Sequence, residues 1–261
     1  MIVNGIAGTG KSHVIKSMVF AASQITQNVN KKVLVMAPTG KASIAANGFT
    51  LHSSFGLLLP VRNGKTRVGI LQGQRLTELQ DRFEHICGII IDEYSMLSLV
   101  DLYWINSRLQ QALKNNLMFG GIPIAFIGDP GQLPPVGGHS VWVTRPRNIP
   151  LSGHPLVAST AYLSIKNVIK LHVVQRQTDP NTLDFLLAVP DGKIEQRHWR
   201  WFNDTCSETA IRRRGDISGF EESDCVHIDS TNKKVFEYNH SCLQKLNRPI
   251  NKLTALHDSA A

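Results

Sequence analysis

The stretch Gly5-Ile6-Ala7-Gly8-Thr9-Gly10-Lys11-Ser12 matches the phosphate-loop pattern G-x-x-x-x-G-K-[ST] at every fixed position. It follows a short apolar segment, residues 1–4, and precedes a segment whose apolar residues recur at helical spacing. The glycines let successive backbone N–H groups turn inward toward phosphate oxygens, and the N-terminus of the helix adds positive potential. The alternative is a glycine-rich turn without a ligand. The strand-loop-helix context favours a nucleotide site.

The residue types of this loop predict individual roles. We expect the Lys11 ammonium to reach the outer phosphates, which also makes Lys11 a catalytic candidate, and the Ser12 hydroxyl to ligate Mg²⁺. The loop therefore predicts a bound nucleotide and Mg²⁺ as cofactors. The predicted nucleotide-binding residues are Gly5, Gly8, Thr9, Gly10, Lys11 and Ser12.

Composition and charge narrow the class of protein. Of the 261 residues, 42% are hydrophobic and 18% charged, as in globular proteins with a sizeable core. No apolar run approaches the roughly 20 residues of a membrane span, and the N-terminus lacks the pattern of a signal peptide. A formal net charge of +8 favours an acidic partner, with nucleic acid first. The four cysteines contain no C-x-x-C pair, which favours reduced thiols in an intracellular protein.

The order of segments predicts an α/β fold. Apolar stretches at 33–37, 89–91 and 122–127 alternate with segments of helical periodicity, which is the pattern of a parallel sheet covered by helices on both faces. A small insertion with a basic tip is predicted at about 57–82. Residues 137–165 are rich in glycine, proline and serine and are predicted to be a linker or surface excursion.

Two adjacent acids, Asp92 and Glu93, follow the β-branched run at 89–91. In phosphate-loop ATPases the first such acid holds Mg²⁺ and the second polarises the attacking water. The alternative is a strand end followed by a helix whose first turn favours acids. Behind a phosphate loop, the catalytic interpretation is favoured, with Asp92 as metal ligand and Glu93 as catalytic residue.

Two further strand ends carry catalytic candidates. Gln132 stands in a proline- and glycine-rich loop after the strand at 122–127, where it can contact both the γ-phosphate and water. Its alternative is a plain proline-rich turn. Arg176 follows an apolar strand at 168–174 and is a candidate arginine finger. The guanidinium group of arginine stays charged and can bind phosphate through two parallel hydrogen bonds.

Two segments are candidates for DNA contact. The segment at 38–42 follows the second strand, at the edge where open α/β sheets carry their ligands. The small polar and aromatic side chains at 49–56 can hydrogen-bond phosphates and stack on bases. A short helix capped by Thr50, with Leu51 and Phe55 in the core, explains the second segment equally well. The helix at 194–204 has interleaved cationic and aromatic residues, for which a half-buried amphipathic helix is favoured over strand binding. The candidate DNA-binding residues are Pro38, Thr39, His52 and Phe55.

Together these motifs resemble those of superfamily-one DNA helicases of the Pif-type and RecD-like group. The resemblance covers nearly the whole chain, and D-E-x-S-M at 92–96 and G-D-x-x-Q-L-P-P-V at 128–136 carry it more specifically than the phosphate loop does. It implies a RecA-like domain at 1–165 and a partial second RecA-like domain at 166–261. It also implies ATP hydrolysis coupled to 5′-to-3′ movement on single-stranded DNA and to duplex unwinding.

The resemblance implies further roles and limits. Gln132 would couple the γ-phosphate to DNA, and Thr39 and His52 would lie along the DNA strand. The family's upstream adenine clamp and its last two motifs have no counterpart, so we expect a helicase core truncated at both ends. The expected partners are single-stranded and forked DNA, with a monomeric chain, no membrane, and a nuclear or mitochondrial location if the source is eukaryotic.

Two other functions are also compatible with this sequence. One is a nucleotide- and DNA-binding remnant that does not turn over. The other is a phosphate-loop ATPase that acts on a protein partner. Tyr94, Pro130, Gly131 and Gln175 depart from the pattern of the resembled family, but none of these departures removes a charged or catalytic group.

Overall fold

Six parallel strands form the centre of the structure, a computed structural model that describes residues 1–26, 30–57, 69–143, 153–207, 210, 226, 228–245 and 248. Their order in the sheet is β3-β2-β4-β5-β1-β6, and every neighbouring pair runs parallel. The predicted parallel sheet is thus confirmed. The strands are β1 (Ile2–Gly5), β2 (Lys32–Ala37), β3 (Phe49–Thr50), β4 (Ile86–Asp92), β5 (Ile124–Gly128) and β6 (Val168–Leu171).

Helices connect these strands. Short 3-10 turns, Tyr94–Met96 and Met118–Gly121, follow β4 and precede β5. The described α-helices are α1 (Lys11–Thr26), α2 (Gly40–Ala45), α3 (Leu51–Phe55), α4 (Gly73–Phe83), α5 (Leu99–Leu113), α6 (His154–Leu163), α7 (Pro180–Ala188), α8 (Gln196–Cys206) and α9 (Asn232–Lys245). In this part of the chain no helix has the length and apolar character needed to cross a membrane.

The strands divide the core between the two faces of the sheet. Successive side chains of a strand point to opposite faces, so Ile90 packs in one buried cluster and its neighbours Ile89 and Ile91 in the other. The smaller cluster includes Ile15 of α1, and the larger one includes residues of α3, α4 and α5. The expected helices on both faces are confirmed, which explains why the strands are continuously apolar.

The stretch at 137–165 contains a helix that the sequence did not predict. Helix α6 begins at His154, with Pro155 in its first turn, and packs against α5. Its buried residues are small, with Ala158 and Ala161 fully enclosed, so its sequence lacks the bulky apolar stripe that identifies an amphipathic helix. The predicted linker is therefore wrong for 154–163, and residues 144–152 lie outside the described part.

The predicted insertion at 57–82 is described in part. Helix α4 occupies its second half, as the apolar spacing predicted, and buries Leu79 and Phe83. The basic tip, residues 62–67, lies outside the described residues.

The chain divides into two compact units, Met1–Ile194 and Glu195–Ala261. Strand β6 belongs to the first unit and pairs with β1, so this unit extends beyond residue 165, where the sequence ended it. Because β6 is an edge strand with exposed Val168 and Ile169, its hydrophobicity alone did not indicate which sheet it joins. The predicted start of a second domain at 166 does not match this division, and a RecA-like fold for the rest of the predicted range 166–261 stays a prediction. In the second unit α8 buries His198 and half-buries Trp201 and Phe202, as expected of an amphipathic helix.

Candidate active site

All six strands end at one edge of the sheet, and the predicted site residues lie just beyond these ends. In open α/β sheets this edge is where ligands bind. Along the edge, the segments follow the strand order from β3 to β6. They are the segments after β3 (His52), β2 (Pro38 and Thr39), β4 (Glu93), β5 (Gln132), β1 (Gly5–Ser12) and β6 (Arg176).

The phosphate loop connects β1 directly to α1. Gly8 and Gly10 have φ values of 83° and 90°, in the left-handed region that glycine adopts at no steric cost. Thr9 is buried, and its hydroxyl donates to the Ile6 carbonyl at 2.9 Å, which closes the turn. The first turn of α1 then leaves its N–H groups directed at the loop. This is the backbone arrangement that binds phosphate.

Lys11 is held at the mouth of this loop. Its Nζ donates to the carbonyl oxygens of Gly5 at 2.8 Å and Ile6 at 3.3 Å. The side chain thus lies back over the loop, and its positive charge faces the same cavity as the exposed Ser12 hydroxyl.

A cavity of about 520 Å³ joins the charged motifs. It brings together all the predicted catalytic residues and both predicted metal ligands. Of the predicted nucleotide-binding residues, Gly5 and Thr9 are buried within the loop and do not line it. The lining residues are Ala7, Gly8, Gly10, Lys11, Ser12, Asp92, Glu93, Gln132, Gln175 and Arg176.

The two acids after β4 have raised pKa values. Burial is the main cause for Asp92, whose pKa is held down in part by a hydrogen bond from the Glu93 N–H at 2.9 Å and by the charge of Lys11. Burial also raises the pKa of Glu93, and the negative charges of Asp92 and Asp129 raise it further, against the opposing effect of Lys11. A carboxylate with a raised pKa is a better proton acceptor, which suits Glu93 to the task of a general base.

Gln132 is tethered to a buried acid that the sequence did not select. Asp129 accepts hydrogen bonds from the Gln132 side-chain amide at 3.3 Å and from the Gly131 N–H at 3.0 Å. Because Gln132 is exposed, packing does little to fix its side chain, and the hydrogen bond to Asp129 is what orients it. An acid placed directly after a buried strand is the signal that identifies Asp129 as part of the site.

The segment of Arg176 is bonded to the phosphate loop through the main chain. The Gly8 carbonyl accepts hydrogen bonds from the N–H groups of Gln175 at 2.8 Å and Arg176 at 3.3 Å. A Cβ atom on Gly8 would come within 2.9 Å of the Arg176 Cβ, so this approach requires glycine. Gln175 also lines the cavity, although the sequence marked it only as a departure from a pattern.

The oxygen donors of the site fit Mg²⁺. Ser12 and Asp92 supply a hydroxyl and a carboxylate to the same cavity, and Mg²⁺ prefers such hard ligands. Within the described residues no three or more His, Cys, Asp or Glu side chains are grouped to hold a metal.

The candidate DNA contacts lie at the other end of the sheet edge. Ala37 of β2 is in register with Thr50 of β3, so the segments that follow these strands are neighbours. Thr39 caps α2 by accepting from the Ala42 N–H at 3.2 Å. Pro38, Thr39 and His52 are half-buried and keep part of their surface exposed at this edge.

Phe55 does not belong to this surface. It is fully buried, and its ring stacks on that of Phe83 with centroids 5.2 Å apart and planes inclined by 16°. No face of the ring is available to a base, so the structure corrects the expectation for Phe55 in favour of the core alternative. Thr50 caps this short helix by accepting from the Ser53 N–H at 3.3 Å, as that alternative required.

Comparisons with known proteins agree with the motifs. The model of the family described as "PIF1-like helicase" matches residues 1–198. The ATP-dependent DNA helicase Pif1 of Bdellovibrio bacteriovorus is 28% identical over 242 residues, which cover 88% of this chain and 50% of that protein. The ATP-dependent DNA helicase PIF1 of Saccharomyces cerevisiae is 30% identical over 260 residues, which cover 98% of this chain and 28% of that protein.

Solved structures share the fold. The crystal structure of Pif1 helicase from Candida albicans has a TM-score of 0.68 and 26% identity over 97% of this chain and 51% of that one. A Bacteroides Pif1 helicase in complex with ADP-AlF3 and ssDNA has a TM-score of 0.66 and 22% identity over 96% of this chain and 54% of that one. This chain therefore spans about half the length of these helicases.

The family model covers the whole of this site, from the phosphate loop through Gln132 to Arg176. The resemblance found in the motifs is thereby confirmed. The chain belongs to the PIF1-like helicase family.

Proposed function

We propose that this chain is the ATP-hydrolysing core of a DNA helicase, which couples hydrolysis to movement along single-stranded DNA and to duplex unwinding. The observation that carries the proposal is the cavity in which Lys11, Ser12, Glu93, Gln132 and Arg176 converge. The relatives' designation as ATP-dependent DNA helicases supports it, as does the solved complex of a Bacteroides relative with ADP-AlF3 and ssDNA.

In this proposal each group of the cavity has one task. Backbone N–H groups of the loop and the Lys11 ammonium bind the phosphates. Glu93 orients the attacking water and accepts its proton, which its raised pKa favours. Arg176 stabilises the charge that develops on the transferred phosphoryl group. Ser12 and Asp92 would hold Mg²⁺, which when bound supplies neutralisation of phosphate charge.

The arrangement of the sheet edge supports coupling to DNA. Gln132 lies in the cavity, and its loop follows β5, two strands away from β2. Pro38, Thr39 and His52 would contact the DNA backbone at the far end of this edge. A change in how Gln132 contacts phosphate would move its loop and so alter the neighbouring segments. The net charge of +8 favours such a partner.

We also propose single-stranded and forked DNA as the partners, 5′-to-3′ polarity and a monomeric state. Cys87, Cys206 and Cys242 are free thiols in the described part of the chain, which is compatible with an intracellular protein. A nuclear or mitochondrial location stays a prediction.

The test is ATP hydrolysis by the full 261-residue chain at low salt, with and without single-stranded DNA. We expect DNA-stimulated turnover that Lys11→Ala abolishes. Nucleotide binding without turnover would instead support a remnant, and turnover that is indifferent to DNA would contradict the helicase proposal. The logarithm of the binding constant for DNA should fall linearly with the logarithm of the salt concentration, as counterion release requires.

A further inference from the structure

The side chain of Tyr94 links the end of β4 to the end of β1, passing over the end of β5, which lies between them. It directly follows Glu93, is fully buried, and donates a hydrogen bond of 2.7 Å from its hydroxyl to the Asn4 side-chain oxygen. Asn4 lies on β1, immediately before the phosphate loop. Because β5 separates β4 from β1 in the sheet, the Tyr94 side chain crosses the end of β5 to make this bond.

The surroundings fix the path of the ring. Asn4 is in register with Gly128 at the end of β5, and a Cβ atom on Gly128 would come within 2.9 Å of the Tyr94 Cδ1 atom. The rings of Phe126 and Trp142 meet the Tyr94 ring edge-on, with centroids 6.1 Å and 6.0 Å away. Tyr94 is therefore held by packing from the β5 side, by the hydrogen bond to Asn4 on β1, and by a contact of its hydroxyl with that of Tyr162 on α6.

Glu93 needs such a restraint. Its φ and ψ values are 52° and 42°, in the left-handed region, which is unfavourable for a residue with a Cβ atom and persists only when the structure around it imposes it. The Glu93 side chain makes no capping hydrogen bond to the 3-10 turn that follows it. The adjoining Tyr94 supplies the anchor on the C-terminal side of Glu93.

We propose that Tyr94 is a positioning residue for hydrolysis: its hydrogen bond to Asn4 sets the distance between Glu93 and the phosphate loop. The inference rests on the proposed function. Glu93 acts on water during the reaction, whereas the loop holds the phosphates before it. Loss of the bond should therefore lower kcat and leave the KM for ATP unchanged.

The experiment compares Tyr94→Phe with Tyr103→Phe in the full chain. Both lose one hydroxyl, but Tyr103 lies on α5, where its ring stacks on His154. We expect kcat to fall roughly five-fold in Tyr94→Phe, the size of one lost hydrogen bond, and to stay unchanged in Tyr103→Phe. Asn4→Ala should also lower kcat, and the double variant should be slower by less than the product of the two single effects, because both changes remove the Tyr94–Asn4 bond. Tyr94→Phe additionally removes the contact with the Tyr162 hydroxyl. Equal kcat in Tyr94→Phe and the unaltered chain, or additive effects, would overturn the inference.

A second measurement needs no turnover and separates the two proposals. The affinity for ADP with aluminium fluoride, an analogue of the transition state, is compared with the affinity for ADP alone, in magnesium buffer. Tyr94→Phe should weaken binding of the aluminium fluoride complex and leave ADP binding intact. Equal losses for both probes, or no loss, would contradict the role of Tyr94. Absence of turnover in the unaltered chain, with the differential loss preserved, would reject the hydrolysis proposal alone.

Discussion

The two ends of the sheet edge use their polar residues differently. Around β1, β4, β5 and β6, charged side chains converge on one cavity, and the burial of Asp92 and Glu93 raises the pKa values of both. Around β2 and β3, Thr39 and Thr50 satisfy helix N-termini instead. Charged side chains that cluster at the carboxyl ends of the strands therefore indicate a catalytic site. Small polar residues at the same ends of the strands are explained first by the helices they cap.

The largest expected effect tests the charged end. Glu93→Gln should lower kcat by about 10² to 10⁴, the usual contribution of a general base, while nucleotide affinity is retained. Steady-state hydrolysis and titration with a fluorescent nucleotide measure the two quantities. Glu84→Gln, at an exposed acid outside the cavity, is the matched control. A loss of less than tenfold would place the base elsewhere.

The core assignment of Phe55 predicts the next effect. Phe55→Ala should reduce the free energy of unfolding by about 3–5 kcal/mol, because it leaves a cavity beside Phe83. Urea denaturation measures it. Phe20→Ala, at a ring that is 67% exposed on α1, should cost far less. If Phe55→Ala were to spare stability and weaken DNA binding, the ring would belong to the DNA surface after all.

Variants of Thr39, which follows β2, distinguish a capping role from a role in DNA contact. Thr39→Ala should cost about 1 kcal/mol of stability through the lost cap, and Thr39→Ser should restore it because the hydroxyl is kept. If Thr39 also contacts DNA, Thr39→Ala weakens binding of single-stranded DNA in the fully folded protein, as fluorescence anisotropy would detect. Unchanged affinity would reduce Thr39 to a structural role.

The smallest effect concerns pH. Because the pKa of Glu93 is raised in the folded protein, ionisation there opposes folding, and Glu93→Gln should be more stable than the unaltered chain near neutral pH. The gain should shrink as the pH falls through the raised pKa and vanish below the ordinary pKa of 4.5, where the carboxyl group is protonated in both states. Denaturant midpoints measured across this range test it. If the stability gain of Glu93→Gln grew as the pH fell, the pKa of Glu93 would not be raised in the folded protein.

Sequence sufficed for features with a strict physical signature. The phosphate loop needs glycines and a lysine at fixed spacing, and buried parallel strands need continuous apolar runs, so β1, β2, β4 and β5 were predictable. Helix α6 was not, because alanines bury little surface and leave no periodic stripe. Phe55 illustrates a second limit. An aromatic ring at the fifth position of a capped helix is equally compatible with base stacking and with the core, and only its burial against Phe83 decides between them. Asp129 needed the structure to reveal its hold on Gln132.

The bonds from Gly8 to Gln175 and Arg176 have a consequence for how the site can evolve. Both involve only main-chain atoms, so the location of residue 175 beside the cavity does not depend on its side chain. A library of all residues except proline, which lacks the N–H that bonds to Gly8, should therefore yield proteins that fold alike and differ in how they bind and turn over the ligand. At residue 175, selection can change the side chain that lines the catalytic cavity without changing the backbone that forms it.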